Sequence, residues 1–291
     1  MLTFLFEQYG YYPKDFNENE FVVDNWRFRL IEVNYDENYI NSVDEYIERV
    51  RGTFGGRGPF IIRTRFNKLI SLHDGKKYVL VSVFEGNVNF MDLIMFHNIF
   101  KEDGKTVNIS KIMLTWEDRV NRIETESLSS MRIDSVYYKK NWEVAMFCLG
   151  LAQNAVQYLS DVILDYGNSV EGVCITHRRL HNLNSFDFFN PFNYIVDHPI
   201  KDIVELYKND FLTFEYLEEL MESYVGNGKI ASLFMARLLY PAGVFDKLEE
   251  NENKKSLNFK IEYNQEKELL KIKKAYEYLK VRYNIRPINW L

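Results

Sequence analysis

The first 86 residues of the chain alternate short apolar stretches with turn residues, a pattern typical of β-strands. The stretches that predict strands are residues 21–23, 26–33, 60–62, 69–72 and 78–84. One helix interrupts them at residues 41–50, where apolar side chains recur at spacings of three and four. This part of the chain is therefore predicted to form a small antiparallel sheet with one helix packed on it.

From residue 87 onward the apolar positions recur with the helical period. The predicted helices cover residues 90–100, 142–164, 200–208, 214–224, 230–239 and 265–283. A small sheet-rich lobe, residues 1–86, followed by a larger helical lobe, residues 87–291, is a bilobal α+β arrangement. The cleft between two such lobes is the natural place for a ligand.

The last predicted helix has an apolar seam formed by Leu269, Ile272, Tyr276, Leu279 and Tyr283. The end of the chain is also basic, because residues 254–291 contain ten Lys or Arg against four Glu, a local charge of +6. Two interpretations stay open at this point. The helix docks on the acidic body of its own chain, or it binds a partner or a second copy.

Composition excludes several classes of protein. With 291 residues, of which 46% are apolar, the chain can bury a sizeable core. A net charge of −6 argues against binding to nucleic acid, which needs a clustered basic surface. No apolar run approaches the roughly 18 to 20 residues that span a bilayer, so no membrane insertion is expected. The N-terminus lacks a basic region ahead of an apolar run, so we expect no signal peptide and cytosolic synthesis.

The two cysteines, Cys148 and Cys174, lie in apolar surroundings and lack the CxxC spacing of redox or zinc motifs. They are predicted to be buried free thiols. The chain also has 20 Tyr, more than its core requires, and some of them should therefore lie on the surface. The candidates are the tyrosines in polar contexts, namely Tyr9, Tyr11, Tyr12, Tyr137 and Tyr138. The alternative for each of them is that it fills a loop or an interface between the lobes.

The most informative stretch reads CITHRRLHNLN at residues 174–184 and IVDHP at residues 195–199. It has the spacing of a kinase catalytic loop, H-R-D-L-x-x-x-N, followed by a second metal-binding Asp. His177 fits the first position, Asn184 the metal-binding Asn, and Asp197 the later Asp. Arg179 stands where a kinase has its catalytic Asp.

Three further segments resemble YutH-type spore coat proteins: GLAQNAVQYL at residues 150–159, DHPIKDIVE at 197–205 and MARLLYP at 235–241. That family is related to the CotS coat proteins and, more distantly, to aminoglycoside phosphotransferases. The resemblance implies a bilobal protein-kinase-like fold with a small N-terminal lobe. It also implies synthesis in the cytoplasm of the mother cell, deposition on the spore coat, and other coat proteins as partners.

The chemistry of Arg179 argues against catalysis. A guanidinium with a pKa above about 12 cannot accept the proton that a general base must take up. It would also repel Mg²⁺ from Asn184 and Asp197. The kinase lysine that binds phosphates follows an apolar strand, and our alignment places Ile31 or Glu32 at its position. The sequence therefore predicts a pseudokinase with a structural or assembly role, no catalytic residue and no cofactor.

Two alternatives stay open. In the first, the chain is an atypical Mg²⁺- and ATP-dependent phosphotransferase acting on a small molecule or a coat protein. Glu85, Asn184 and Asp197 would then contact the nucleotide, Asn184 and Asp197 would hold Mg²⁺, and Asp187 or His181 would orient the acceptor hydroxyl. In the second, the chain binds nucleotide without turnover, and Arg179 pairs with phosphate in place of a metal ion.

A glycine-rich segment, GTFGGRGP at residues 52–59, invites comparison with phosphate-binding loops. Its spacing fits neither GxGxxG nor GxxxxGK[ST]. It also follows a predicted helix and precedes a predicted strand, the reverse of the order that such loops need. The segment is predicted to be a flexible turn.

Overall fold

The computed structural model of the protein describes residues 1–17, 19–254 and 256–291. The chain forms two compact units. The sheet unit contains Met1–Ile99 and His177–Ile195, and the helical unit contains Phe100–Thr176 and Val196–Leu291. The boundary at residue 86 between the two predicted lobes stays a prediction.

The sheet unit is built on five antiparallel strands in the order β1-β2-β5-β3, with β4 also paired to β5. The strands are β1 (Glu20–Val23), β2 (Trp26–Val33), β3 (Phe60–Ile62), β4 (Ser71–His73) and β5 (Lys76–Phe84). Alternation of side chains places Phe28 and Leu30 of β2 on one face, where they are buried together with Tyr78 and Leu80 of β5. All five predicted strands are present, and β2 and β3 have the predicted bounds.

A helix that the periodicity did not predict, α1 (Leu2–Tyr9), covers this buried face. Phe4 and Leu5 are buried against the aromatic and aliphatic side chains of the sheet. The helix ends at Gly10, whose φ of 84° is the left-handed conformation that glycine adopts without strain. The face of the sheet that carries Phe28, Leu30, Tyr78 and Leu80 is therefore covered by α1.

The predicted helix is longer than its periodicity indicated and spans Glu37–Phe54, which we call α2. It begins at Asp36, whose side chain accepts a hydrogen bond from the Tyr39 amide at 2.8 Å. The glycine-rich segment forms the end of α2 and a 3₁₀ turn, Gly55–Arg57, so the predicted turn is present. A Cβ atom at Gly58 would lie 2.9 Å from the Arg51 Cα, so only glycine fits there.

Arg57 fixes this turn to the next helix, α3 (Phe90–Ile99). Its Nη1 and Nη2 donate to the two carboxylate oxygens of Asp92 at 3.1 and 3.0 Å. Asp92 is buried, so the paired guanidinium compensates a charge that would otherwise lie unpaired in the interior. The basic residue of the glycine-rich segment therefore binds a carboxylate of its own chain.

The helical unit is organised around α5 (Tyr138–Tyr166), a helix of 29 residues that packs against α4 (Ile109–Arg122) and α9 (Gly228–Leu239). Its other elements include a π-helical turn (Ile123–Ser127), β6 (Val107–Asn108), β7 (Ser169–Val170), α7 (Ile200–Lys208), α8 (Phe214–Tyr224), α10 (Ala242–Lys254) and α11 (Gln265–Tyr283). The sequence predicted α5, α7, α8, α9 and α11 but not α4 or α10. In the part of the chain that the structure describes, no helix combines the length and the apolarity needed to cross a bilayer.

The last helix, α11, is docked inside the helical unit. Ile272, Tyr276 and Leu279 of its predicted seam are buried. The chain beyond the helix folds back, so that the Ile288 amide donates to the Tyr276 hydroxyl at 3.0 Å. Arg286 pairs with Asp165 of α5 at 2.6 and 2.7 Å. These seam residues therefore pack into the core of their own chain.

The structure confirms the prediction for the two cysteines and contradicts part of the prediction for the tyrosines. Cys148 and Cys174 are free and buried, as the sequence predicted. The prediction of a surface tyrosine is wrong for Tyr9, which is 8% exposed because α1 turns it into the sheet core, where its hydroxyl lies 2.9 Å from the Ser71 Oγ. Tyr12 is exposed, and the other candidates are half-buried.

Candidate functional site

The predicted catalytic loop lies between β8 (Cys174–His177) and α6 (Ser185–Phe189). His177 is fully buried at the start of the loop, and its Nε2 lies 2.9 Å from the carbonyl oxygen of Phe188. The rings of Phe96 and Tyr194 contact the imidazole. His177 therefore braces the loop from inside the core.

Asn193, just before β9 (Tyr194–Asp197), holds the next part of the loop. Its backbone carbonyl accepts from the Arg178 amide at 2.6 Å. Its side-chain amide accepts from the Arg179 amide at 3.0 Å and donates to the Arg179 carbonyl at 2.5 Å. The backbone at Arg179 is thus fixed, and a permanent cation stands at the position that the motif spacing assigns to the kinase base.

Asn184 acts as the N-cap of α6. Its side-chain oxygen accepts from the Asp187 amide at 2.8 Å, and its side-chain nitrogen donates to the Asp187 carboxylate at 2.6 Å and to the Asn182 side chain. A metal ion would need the same amide oxygen that caps the helix. Asn184 is therefore arranged to start a helix.

Glu85 lies in the connector that follows β5, and the connector contacts the loop. The Glu85 carboxylate accepts from Nε and Nη2 of Arg27 at 3.0 and 2.7 Å. The Gly86 carbonyl accepts from the Ser185 amide at 3.0 Å, next to Asn184. The structure therefore brings Glu85 and Asn184, both predicted site residues, into one region of the sheet unit.

A cation that the sequence analysis did not assign, Arg29, also reaches this region from β2. Its guanidinium carbon lies 3.9 Å from the ring centroid of Phe186 in α6, and it pairs with Glu20. Strand alternation places Ile31 on the same face as Arg29 and Glu32 on the opposite face. In the sequence, the alternation of Arg27 and Arg29 with Trp26, Phe28 and Leu30 was the signal that a cation lies on one face of β2.

In the helical unit, the carboxylate of Asp197 is bound by Arg237 of α9. Nη2 of Arg237 donates to Oδ1 at 2.7 Å and to Oδ2 at 2.8 Å. The side chains are only 9% and 8% exposed, and the His198 amide donates to Oδ1 at 2.7 Å. The sequence analysis missed Arg237, although a lone charge within the buried run of residues 230–240 was a signal that a partner exists.

Other charges lie near this pair. Asp202, in the first turn of α7, is fully buried, and Lys201 beside it is 7% exposed. Burial lowers the pKa of Lys201, while the carboxylates of Glu205, Asp202 and Asp197 act in the opposite direction and the Arg237 guanidinium lowers it further. Asp197 therefore faces positive charge supplied by its own chain.

These arrangements do not fit a magnesium ion. Mg²⁺ takes octahedral oxygen ligands, commonly one or two carboxylates together with substrate phosphates. Both oxygens of Asp197 accept from Arg237, and the amide oxygen of Asn184 caps α6. Among the described residues no group of three His, Cys, Asp or Glu side chains is placed to hold a metal ion.

The sequence profile of the family described as "Spore coat putative kinase YutH" matches residues 3–281. The chain belongs to this family. Within it, the chain is similar to the endospore coat-associated protein YutH of Bacillus subtilis (strain 168), with 24% identity over 212 residues. The match covers 65% of this chain and 62% of that protein, so it spans under two thirds of the relative's length.

The structure of this YutH family member is also similar to solved phosphotransferases. Spectinomycin phosphotransferase in complex with ADP and spectinomycin has a TM-score of 0.52 at 11% identity, covering 95% of this chain and 92% of that chain. An aminoglycoside phosphotransferase from Alicyclobacillus acidocaldarius has a TM-score of 0.46 at 11% identity, covering 91% and 90%. The predicted α+β, aminoglycoside-phosphotransferase-like fold is confirmed. At this identity the likeness shows the fold alone.

Proposed function

We propose that this chain is a pseudokinase that serves as a structural or assembly component of the bacterial spore coat. The observation that carries the proposal is the contact of Arg237 Nη2 with both oxygens of Asp197. A phosphotransferase of this fold needs that carboxylate for its metal ion. Here a guanidinium supplies the neutralising charge.

Two features of the sheet unit support the proposal. Arg179 stands at the position of the general base and cannot take a proton at working pH. Asn184 uses its amide oxygen to cap α6. Three positions of the catalytic loop and metal site thus have the wrong charge or other partners, and each argues separately against phosphoryl transfer.

The cellular part of the proposal rests on the family. A relative is described as endospore coat-associated, and we propose the spore coat as the location of this chain after synthesis in the cytoplasm of the mother cell. Other coat proteins are the proposed partners. A tagged chain expressed during sporulation should appear in the coat fraction of purified spores, and a tag that stays in the mother-cell lysate would contradict this location.

The test of the biochemical part is thermal unfolding with ATP alone, with ATP plus Mg²⁺, and with ATP plus EDTA. A ligand at 100 times its Kd stabilises a protein by about 2.7 kcal/mol, which moves the unfolding midpoint measurably. We expect no shift in any of the three conditions, with spectinomycin phosphotransferase as the positive control. A shift that needs Mg²⁺ would favour the atypical phosphotransferase, and a shift that survives EDTA would favour the nucleotide-binding alternative.

A further inference from the structure

The outer face of α11 has a second seam, separate from the one that docks inside the helical unit. Leu270, Lys274, Glu277 and Val281 recur at spacings of four, three and four, so they form one stripe along the helix. All four are exposed, Leu270 at 58% and Val281 at 88%. Two aliphatic side chains therefore face outward at the ends of a stripe whose centre is charged.

This stripe is complementary to itself when two copies of the helix run antiparallel. If the pairing axis passes between residues 275 and 276, Leu270 of one copy lies opposite Val281 of the other. The same axis places Lys274 opposite Glu277. Because a two-fold axis repeats each contact, the pairing would contain two aliphatic contacts at its ends and two ion pairs between them.

A parallel pairing of the same stripe is disfavoured. In register, it would place Lys274 opposite Lys274 of the second copy and Glu277 opposite Glu277, and like charges across an interface repel. The charge pattern therefore selects the antiparallel arrangement.

The surroundings of the stripe are consistent with a helix-on-helix contact. Lys274, Glu277 and Val281 line a groove of about 430 Å³ between α8 and α11, together with Phe214 and Tyr278. Glu218 and Arg282 also line the groove and supply one further charge of each sign. The mixed signs again suit a second copy of the same surface better than a partner of one charge.

We infer that α11 forms an antiparallel homodimer contact through the stripe Leu270, Lys274, Glu277 and Val281. The stripe spans eleven helical steps, roughly 17 Å, so the contact is small. Interfaces at the low end of the size range give weak, concentration-dependent association. The inference does not depend on the fate of the kinase site, because none of the four residues lies in it.

The test is sedimentation equilibrium of the full chain over about 5 to 500 µM. Two charge-reversal variants are measured separately, where association should weaken, and as a mixture, where it should return. In a dimer of Lys274→Glu, the two negative charges of one copy face the two negative charges of the other. In a dimer of Glu277→Lys, the two positive charges of one copy face the two positive charges of the other. Each variant should self-associate at least about tenfold more weakly than the wild type. An equimolar mixture of the two variants should associate as well as the wild type, because every Glu then faces a Lys.

The controls are the same charge changes on exposed positions of α5, Lys139→Glu and Glu143→Lys, which should leave self-association unchanged. Circular dichroism checks that each variant is folded. The inference is overturned if the wild type stays monomeric throughout the concentration range. It is also overturned if Lys274→Glu alone associates like the wild type, or if the mixture does not regain association.

Discussion

Arg237 Nη2 lies 2.7 and 2.8 Å from the two carboxylate oxygens of Asp197, and both side chains are more than nine-tenths buried. A metal ion at Asp197 would have to displace this guanidinium and leave a buried cation without its counter-charge. Nε of Arg237 is buried without a hydrogen-bond partner within the described part of the chain, so the carboxylate is the main compensation for this charge. The pair therefore occupies the carboxylate that the motif spacing assigns to a metal ion, and removing either partner would leave a buried charge uncompensated.

Replacing Arg237 should be strongly destabilising. Arg237→Met leaves the Asp197 carboxylate buried and unpaired, and we expect the free energy of unfolding to fall by about 3–5 kcal/mol. Urea denaturation followed by circular dichroism measures the change. The second substitution Asp197→Asn, made in the Arg237→Met background, should recover part of the loss because it removes the uncompensated charge.

The matched control for this measurement is Arg282→Met. Arg282 lies 3.5 Å from Glu222 on the surface, with a side chain that is 60% exposed, and such pairs contribute about 0–1 kcal/mol. If Arg237→Met cost no more than Arg282→Met, the contact with Asp197 would not be the buried ion pair described above.

Restoring the carboxylate of the catalytic loop should not restore phosphoryl transfer. Arg179→Asp supplies a group that can accept a proton, but Asp197 stays paired with Arg237 and Asn184 still caps α6. We expect no production of ADP from ATP above that of the wild type, with or without Mg²⁺, in an assay that detects ADP. The companion variant Arg179→Gln removes the cation without adding a carboxylate. Magnesium-dependent turnover by Arg179→Asp alone would show that the remaining machinery is intact.

The elements that the sequence predicted well are those whose periodicity is strictly local. β2 and β3 have the predicted bounds, and so does α11, because each buries one regular stripe of its own residues. Helix α4 and helix α10 were missed, and the contact that joins them links distant parts of the sequence. Arg119 of α4 pairs with Glu249 of α10, 130 residues later, at 2.6 and 3.0 Å.

The candidate site also contains residues that the local sequence pattern reveals and residues that only tertiary packing reveals. The motif at residues 177–184 could be located from spacing alone, because a kinase loop is a local pattern. Arg237 lies 40 residues after Asp197, and its role depends on the packing of α9, which no spacing encodes. Arg29 likewise depends on which face of β2 meets α6. The chemistry of this fold is therefore changed at one position inside the motif, Arg179, and at another, Asp197, by a partner that only tertiary structure supplies.

The thiols should be unreactive in the folded protein. Burial raises the pKa of Cys148 to about 12 and also raises the pKa of Cys174, so the reactive thiolate is scarce at neutral pH. At pH 8 we expect a disulfide reagent such as dithionitrobenzoate to modify neither cysteine of the folded protein within minutes. In urea, where the protein is unfolded, the reagent should modify both cysteines immediately. Rapid modification of the folded protein would contradict the burial of these side chains.

The same shift predicts a loss of stability in alkali. The folded-state pKa of Cys148 lies above its ordinary value of 9, so the stabilisation is complete below about pH 9 and is lost as the pH rises towards 12. In a series of urea titrations from pH 8 to 11, the free energy of unfolding should therefore decline. The stability of Cys148→Ala should decline less steeply because the buried thiol is gone. It should still decline because tyrosines with raised pKa values, such as Tyr158 and Tyr207, remain.

The two stripes of α11 can be separated by one matched pair of substitutions. Leu279 on the inner stripe is fully buried, whereas Leu270 on the outer stripe is 58% exposed. Leu279→Ala leaves a cavity in the helical unit and should lower the free energy of unfolding by about 2–5 kcal/mol. Leu270→Ala should change it by no more than about 0.5 kcal/mol, measured on dilute protein, but should weaken self-association in sedimentation. Equal losses of stability in both variants would mean that the outer stripe belongs to the core of the monomer, and the dimer contact inferred for it would then be wrong.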